Sequence, residues 1–155
     1  MIVNRIEEEI SVRRWTNNKP CEAAIALKRR KYLKNALAEG VITIEELRQH
    51  DIGREVILPE LVKAMQGENV DYAVIDGFPI PMRKVKRIRQ AWDENTEIIL
   101  ASDGYPRLFP TLRETEDYLK RCLVVDPLCI GRHKSTKGWM VGNQSFDDRA
   151  YIRFK

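Results

Sequence analysis

Residues 97–106 read EIILASDGYP, and the fold turns on this stretch. The apolar run Ile98 to Ala101 leads straight into Ser102-Asp103-Gly104. A β-branched, apolar run bounded by turn residues reads as a strand, here over 96–102. A carboxylate at the end of a strand is fixed in position, and the following glycine lets the backbone turn sharply. A second stretch, GNQSFDDRAYIRF at 142–154, places the adjacent carboxylates Asp147 and Asp148 before another strand-like run, 148–154. Function depends on whether these two places form one site.

Working outward, residues 2–14 read as two short strands separated by Glu7-Glu8-Glu9, followed by turn chemistry in TNNKP at 16–20. Residues 21–40 are Ala- and Leu-rich and end on Gly40, which predicts a helix with Ala26, Leu33 and Leu37 inward and Arg29, Arg30 and Lys34 in water. Thr43 and Glu46 have capping-box spacing and open a short helix to about His50. In 54–67, Ile57, Leu58, Leu61, Val62 and Met65 share a helical face, and Pro59 places the helix start near Leu58, with the proline at the first helical position. Strands are predicted at 71–77 and 85–92, which with 96–102 make an antiparallel meander. Thr111 and Glu114 form a second capping box, opening a helix with Leu112, Tyr118, Leu119, Cys122 and Leu123 on its core stripe. Residues 126–145 lack periodicity and read as a long loop, a feature that is often functional in a compact domain. The sum is one α+β domain over 1–155, a mostly antiparallel sheet with helices packed outside.

The 155 residues suffice for a core without staples. No apolar run reaches the roughly 18 to 20 residues of a membrane span, and the acidic start lacks a signal-peptide core. Cys21, Cys122 and Cys129 show no CxxC spacing, which points to a reducing compartment, the cytoplasm. Two histidines argue against a His-rich zinc site. The net charge of +4 is too small to argue for nucleic acid. Basic residues cluster at 82–90 and 131–138, as solvated edges that discourage strand pairing or as a phosphate-attracting rim. Asp76-Gly77 reads as plain turn chemistry, and Trp15, Trp92 and Trp139 as packing anchors.

The combination of ILASDGYP, a following helix and a terminal SFDDRAYIRF resembles the C-terminal half of the metal-dependent Ser/Thr phosphatases of the PPM, or type 2C, family. The resemblance is nearest to a bacterial PPM-like group and covers roughly 15–155. It implies an αββα sandwich or half of one, with Mg²⁺ or Mn²⁺ held by Asp103, Asp147 and Asp148. Asp148 stands where the family has Asn, which leaves the choice of ligand within the pair open. Ser102, Gly104 and Asn143 would line the site, and Arg132, Lys134 and Lys137 are weak candidates for substrate phosphate. No catalytic residue is assigned apart from the metal ligands. The family's first half, with its own metal-binding carboxylates, has no counterpart in the chain. The implied function is phosphoester hydrolysis if the two-metal site is completed, with weak or no metal binding and no activity in the chain alone. The competing reading is a non-catalytic module that acts as a homodimer or with a partner completing the sheets.

Overall fold

The computed structural model of the protein describes residues 1–6, 9–13 and 21–155, and only the backbone of 2–6 and 9–13. The turn expected at 16–20 and Trp15 lie outside the described residues. The chain is α+β. Four strands, β1 (Ile2–Ile6), β2 (Glu9–Arg13), β3 (Thr96–Ala101) and β4 (Tyr151–Phe154), form one sheet in the order β2-β1-β3-β4. Every neighbouring pair is antiparallel. Among the described residues four helices accompany it: α1 (Glu22–Ala38), α2 (Ile44–Gln49), α3 (Ile52–Gln66) and α4 (Leu112–Val125). Among the described residues no helix is long and apolar enough to cross a membrane.

Strand alternation gives the sheet two unlike faces. Ile99 is fully buried and packs with Met1, Leu108 and Tyr151. The opposite face carries Leu100 against Ile152 and Ile98 against Phe154. Leu100, Ile152 and Phe154 are exposed there, and the exposed Trp92 stacks on Phe154 at 5.7 Å.

Both capping boxes form. Thr43 accepts the Glu46 amide and Thr111 accepts the Glu114 amide, with each glutamate returning to its cap. Helix α1 ends in a Schellman arrangement: Gly40 (φ +67°) donates to Leu37 and Val41 donates to Ala36. Helix α4 buries Leu119 and Leu123 in a cluster with Tyr105, Cys129 and Phe146, while Leu112 at its first turn is exposed. A second cluster joins Leu33 and Leu47 of the first helices to Leu128 and Ile130 of the 126–145 loop.

Several expectations are corrected. Helix α3 starts at Ile52, not near Leu58, and Pro59 lies inside it. Asp51 supplies the reason: its carboxylate caps the helix by accepting the Arg54 amide at 3.0 Å, so the start is set well before the proline. Only Ile57 of the expected stripe is fully buried, and Leu58, Val62 and Met65 are exposed. Arg29 does not face water but is fully buried. Residues 71–77 are not a strand, because local bonds take the groups a ladder would need. Val74 N–H donates to the Asn69 side chain, and the Tyr72 carbonyl accepts the Asn69 amide at 2.8 Å. Residues 85–92 also lie outside any strand, after a short 3-10 turn at Met82–Lys84. The meander is therefore absent. Strand β3 pairs instead with β1, from the other end of the sequence, and with β4.

Candidate functional site

The two motifs meet. The β3–β4 ladder brings the end of one strand to the start of the other, and Ser102 fastens them. Its amide donates to the Ala150 carbonyl at 3.1 Å. Its hydroxyl donates to the Asp148 carbonyl at 3.2 Å and accepts the Ala150 amide at 2.9 Å. Gly104 is needed here for a reason other than a sharp turn. A Cβ at this residue would lie 2.4 Å from the Asp148 carbonyl oxygen and 3.0 Å from that of Asp147. Only glycine lets the two backbones come this close.

A cleft of 640 Å³ opens beside this junction, walled by Asp147, Asp148 and Arg149, by Asn143 and its neighbours, and by Lys137, Tyr105 and Glu116. Four of its charged groups form two pairs. Arg149 Nε lies 2.9 Å from Glu116 Oε1, which also accepts the Tyr105 hydroxyl at 2.7 Å. The Tyr105 bond, with help from Arg149, holds the Glu116 carboxyl below its ordinary range. Burial, reinforced by Glu116, pushes the Tyr105 phenol up. Lys137 Nζ contacts Asp147 Oδ2, and Asp147 Oδ1 accepts the Asp148 amide at 3.0 Å. Burial raises the Asp147 carboxyl, but these bonds and the Lys137 charge outweigh it, so the group titrates below its usual value.

Asp103 is exposed on the turn between Ser102 and Gly104. Asn143 accepts the Trp139 indole N–H on its carbonyl at 2.7 Å. The three basic candidates do not converge: Lys137 faces Asp147 in the cleft, Arg132 edges a separate 180 Å³ pocket with His133 and Cys129, and Lys134 is exposed. Asp76 forms the expected turn, accepting Asn69 Nδ2 and the Phe78 amide.

The donor chemistry matches Mg²⁺ or Mn²⁺ in kind, since carboxylate oxygens suit hard divalent cations. It does not match in number. Among the described residues no three His, Cys, Asp or Glu side chains converge on a possible metal position, and Asp147 already carries an ammonium.

The loop that supplies Lys137 is held by three arginines, one from each of the first three helices. Arg29 pairs with Asp51 (Nη2–Oδ2 2.6 Å) and donates to the Leu128 and Ser135 carbonyls at 2.8 and 3.1 Å. Arg48 donates to the Trp139 carbonyl and Arg54 to the Thr136 carbonyl, each at 3.2 Å. An irregular loop has carbonyls with no ladder partner, and the guanidinium fork supplies donors for them. Sequence reasoning missed Arg29, Glu116 and Arg149. Arg29 carried a signal, because it falls on the Ala26–Leu33 helical stripe. No family model matches this chain, nor does any curated protein or solved structure.

Proposed function

We propose that this chain is a PPM-related unit that carries one limb of a phosphoester-hydrolysing site and is catalytically silent by itself. The observation that carries the reading is the junction of Ser102-Asp103-Gly104 with Asp147-Asp148, two motifs far apart in sequence and in backbone contact across β3 and β4. The glycine of the first motif is sterically required by the second, which makes the pairing a built feature. The metals such a limb would take are Mg²⁺ or Mn²⁺. Silence follows from the donor count. Hydrolysis needs a rigidly held water and phosphoryl group, and a misplacement of about 1 Å can cost roughly a hundredfold in rate. The chain with Mn²⁺ should therefore hydrolyse p-nitrophenyl phosphate no faster than Mn²⁺ in buffer. Turnover above that level, abolished by Asp147→Ala, would refute the silence.

A second reading, a module that acts by self-association, is favoured by the open sheet face. Leu100 and Ile152 are 56% and 60% exposed side by side, where the αββα architecture would place a second sheet.

A further inference from the structure

We propose that Lys137 is the resident cation of the Asp147–Asp148 corner, a tethered ammonium standing where a PPM-type site would hold a divalent metal. Metal then reaches Asp147 only when this ammonium leaves. The inference rests on the phosphatase-related reading, which supplies the metal as the competitor.

Both Asp147 carboxylate oxygens are engaged, one by Lys137 Nζ and the other by the Asp148 amide. The Asp147 carbonyl accepts the Ser145 hydroxyl, so the residue is fixed through backbone and side chain alike. The lysine is delivered as firmly. Its amide donates to Ser135 Oγ, the neighbouring Ser135 and Thr136 carbonyls are held by Arg29 and Arg54, and Trp139 N–H donates to the Pro127 carbonyl at 2.7 Å. A carboxylate with a second carboxylate next to it in the chain favours a cation close by, and Lys137 supplies one to Asp147. A lysine ammonium is a compact, strongly hydrated point charge with three donors, well suited to answer that need. Both partners are 36% exposed, so the pair contributes little to stability. Its consequence is occupancy: the chain places a cation of its own on Asp147.

The test is Mn²⁺ binding to the full chain, followed by the loss of the free-ion paramagnetic resonance signal. Lys137→Met should bind tighter than wild type by up to about fivefold, which corresponds to roughly 1 kcal/mol, the upper range for an exposed pair. Lys137→Arg should behave as wild type, and adding Asp147→Asn should remove the gain. Lys137→Gln, polar and of similar length, serves in the same way if the methionine variant does not fold. Wild type and Lys137→Met binding equally well through Asp147 would overturn the inference and leave the phosphatase-related reading standing. No Asp147-dependent binding in any variant would overturn the inference alone, because the phosphatase-related reading expects the isolated chain to hold metal weakly or not at all and is tested by its turnover.

Discussion

At the scale of single residues, the most consequential side chain is Arg29. It is fully buried, pairs with Asp51 and holds two loop carbonyls, so it ties α1 to the cap of α3 and to the loop that presents Lys137. Removing one partner of a buried pair leaves the other charge unpaired, at a cost of about 3–5 kcal/mol. Arg29→Met should lower stability by that order in urea denaturation, and the double variant with Asp51→Ala should cost less than the two single changes summed. A strictly additive result would mean that the pair is not coupled. The Tyr105–Glu116–Arg149 group makes a pH prediction. The Glu116 carboxyl titrates below its ordinary 4.5 chiefly because Tyr105 donates to it. A depressed carboxylate contributes stability above its unfolded value and loses it as the pH falls through the folded one. Glu116 is about a quarter exposed, so the contribution is about 1 kcal/mol or less. Glu116→Gln should therefore lower the melting temperature at pH 7, with the gap to wild type closing progressively below about pH 4.5. A gap that is constant down to pH 3 would contradict this origin.

At the scale of elements, what could be read from sequence depended on whether the signal was local. The two capping boxes, the Gly40 stop and the β3 run are decided by residues within a few positions, and each forms as expected. The strands expected at 71–77 and 85–92 carry β-branched residues, but a strand also needs a partner. The neighbour of β3 turned out to be β1, roughly ninety positions away in the chain, a pairing that no local pattern encodes. Similarly, residue type assigns Arg29 to water, although its helical position lies on the buried stripe. The meeting of Ser102 with Asp148 was legible as two motifs, whereas the Lys137 and Arg149 ion pairs depend on loop geometry. Pro59 illustrates a rule overridden by context. A proline inside a helix removes one intrahelical bond and costs about 3 kcal/mol, yet the Asp51 cap and the buried Ile57 keep α3 continuous around it. Pro59→Ala should restore the donor to Glu55 and raise stability by about 1–3 kcal/mol, less what the more flexible unfolded chain gains. Thermal melts of the two proteins test this, and a destabilised alanine variant would show that the proline ring is part of the packing.

At the scale of the whole molecule, the β3–β4 pair has one face covered and one open among the described residues. Ile99 and Tyr151 lie on the covered side with Leu108 and Met1. On the other side, Ile98, Leu100, Ile152 and Phe154 form paired apolar rows, extended by Trp92. Apolar patches larger than a few hundred Å² are rare on soluble monomers. Among the described residues β4 is an edge strand, and an open edge invites further pairing. Residues 71–77 form no strand and add nothing to this face, so the driving surface is β3, β4 and Trp92. We predict that the chain self-associates at micromolar concentration through this face. Leu100→Glu with Ile152→Glu should shift it toward monomer in sedimentation velocity without loss of helical circular dichroism, because both side chains are already more than half exposed. Each charge placed in a closed apolar contact would have to be desolvated, at several kcal/mol, which exceeds what a modest interface can absorb. A wild-type chain that sediments as a compact monomer at these concentrations would remove the association reading and leave the cleft beside Asp147 as the chain's functional surface.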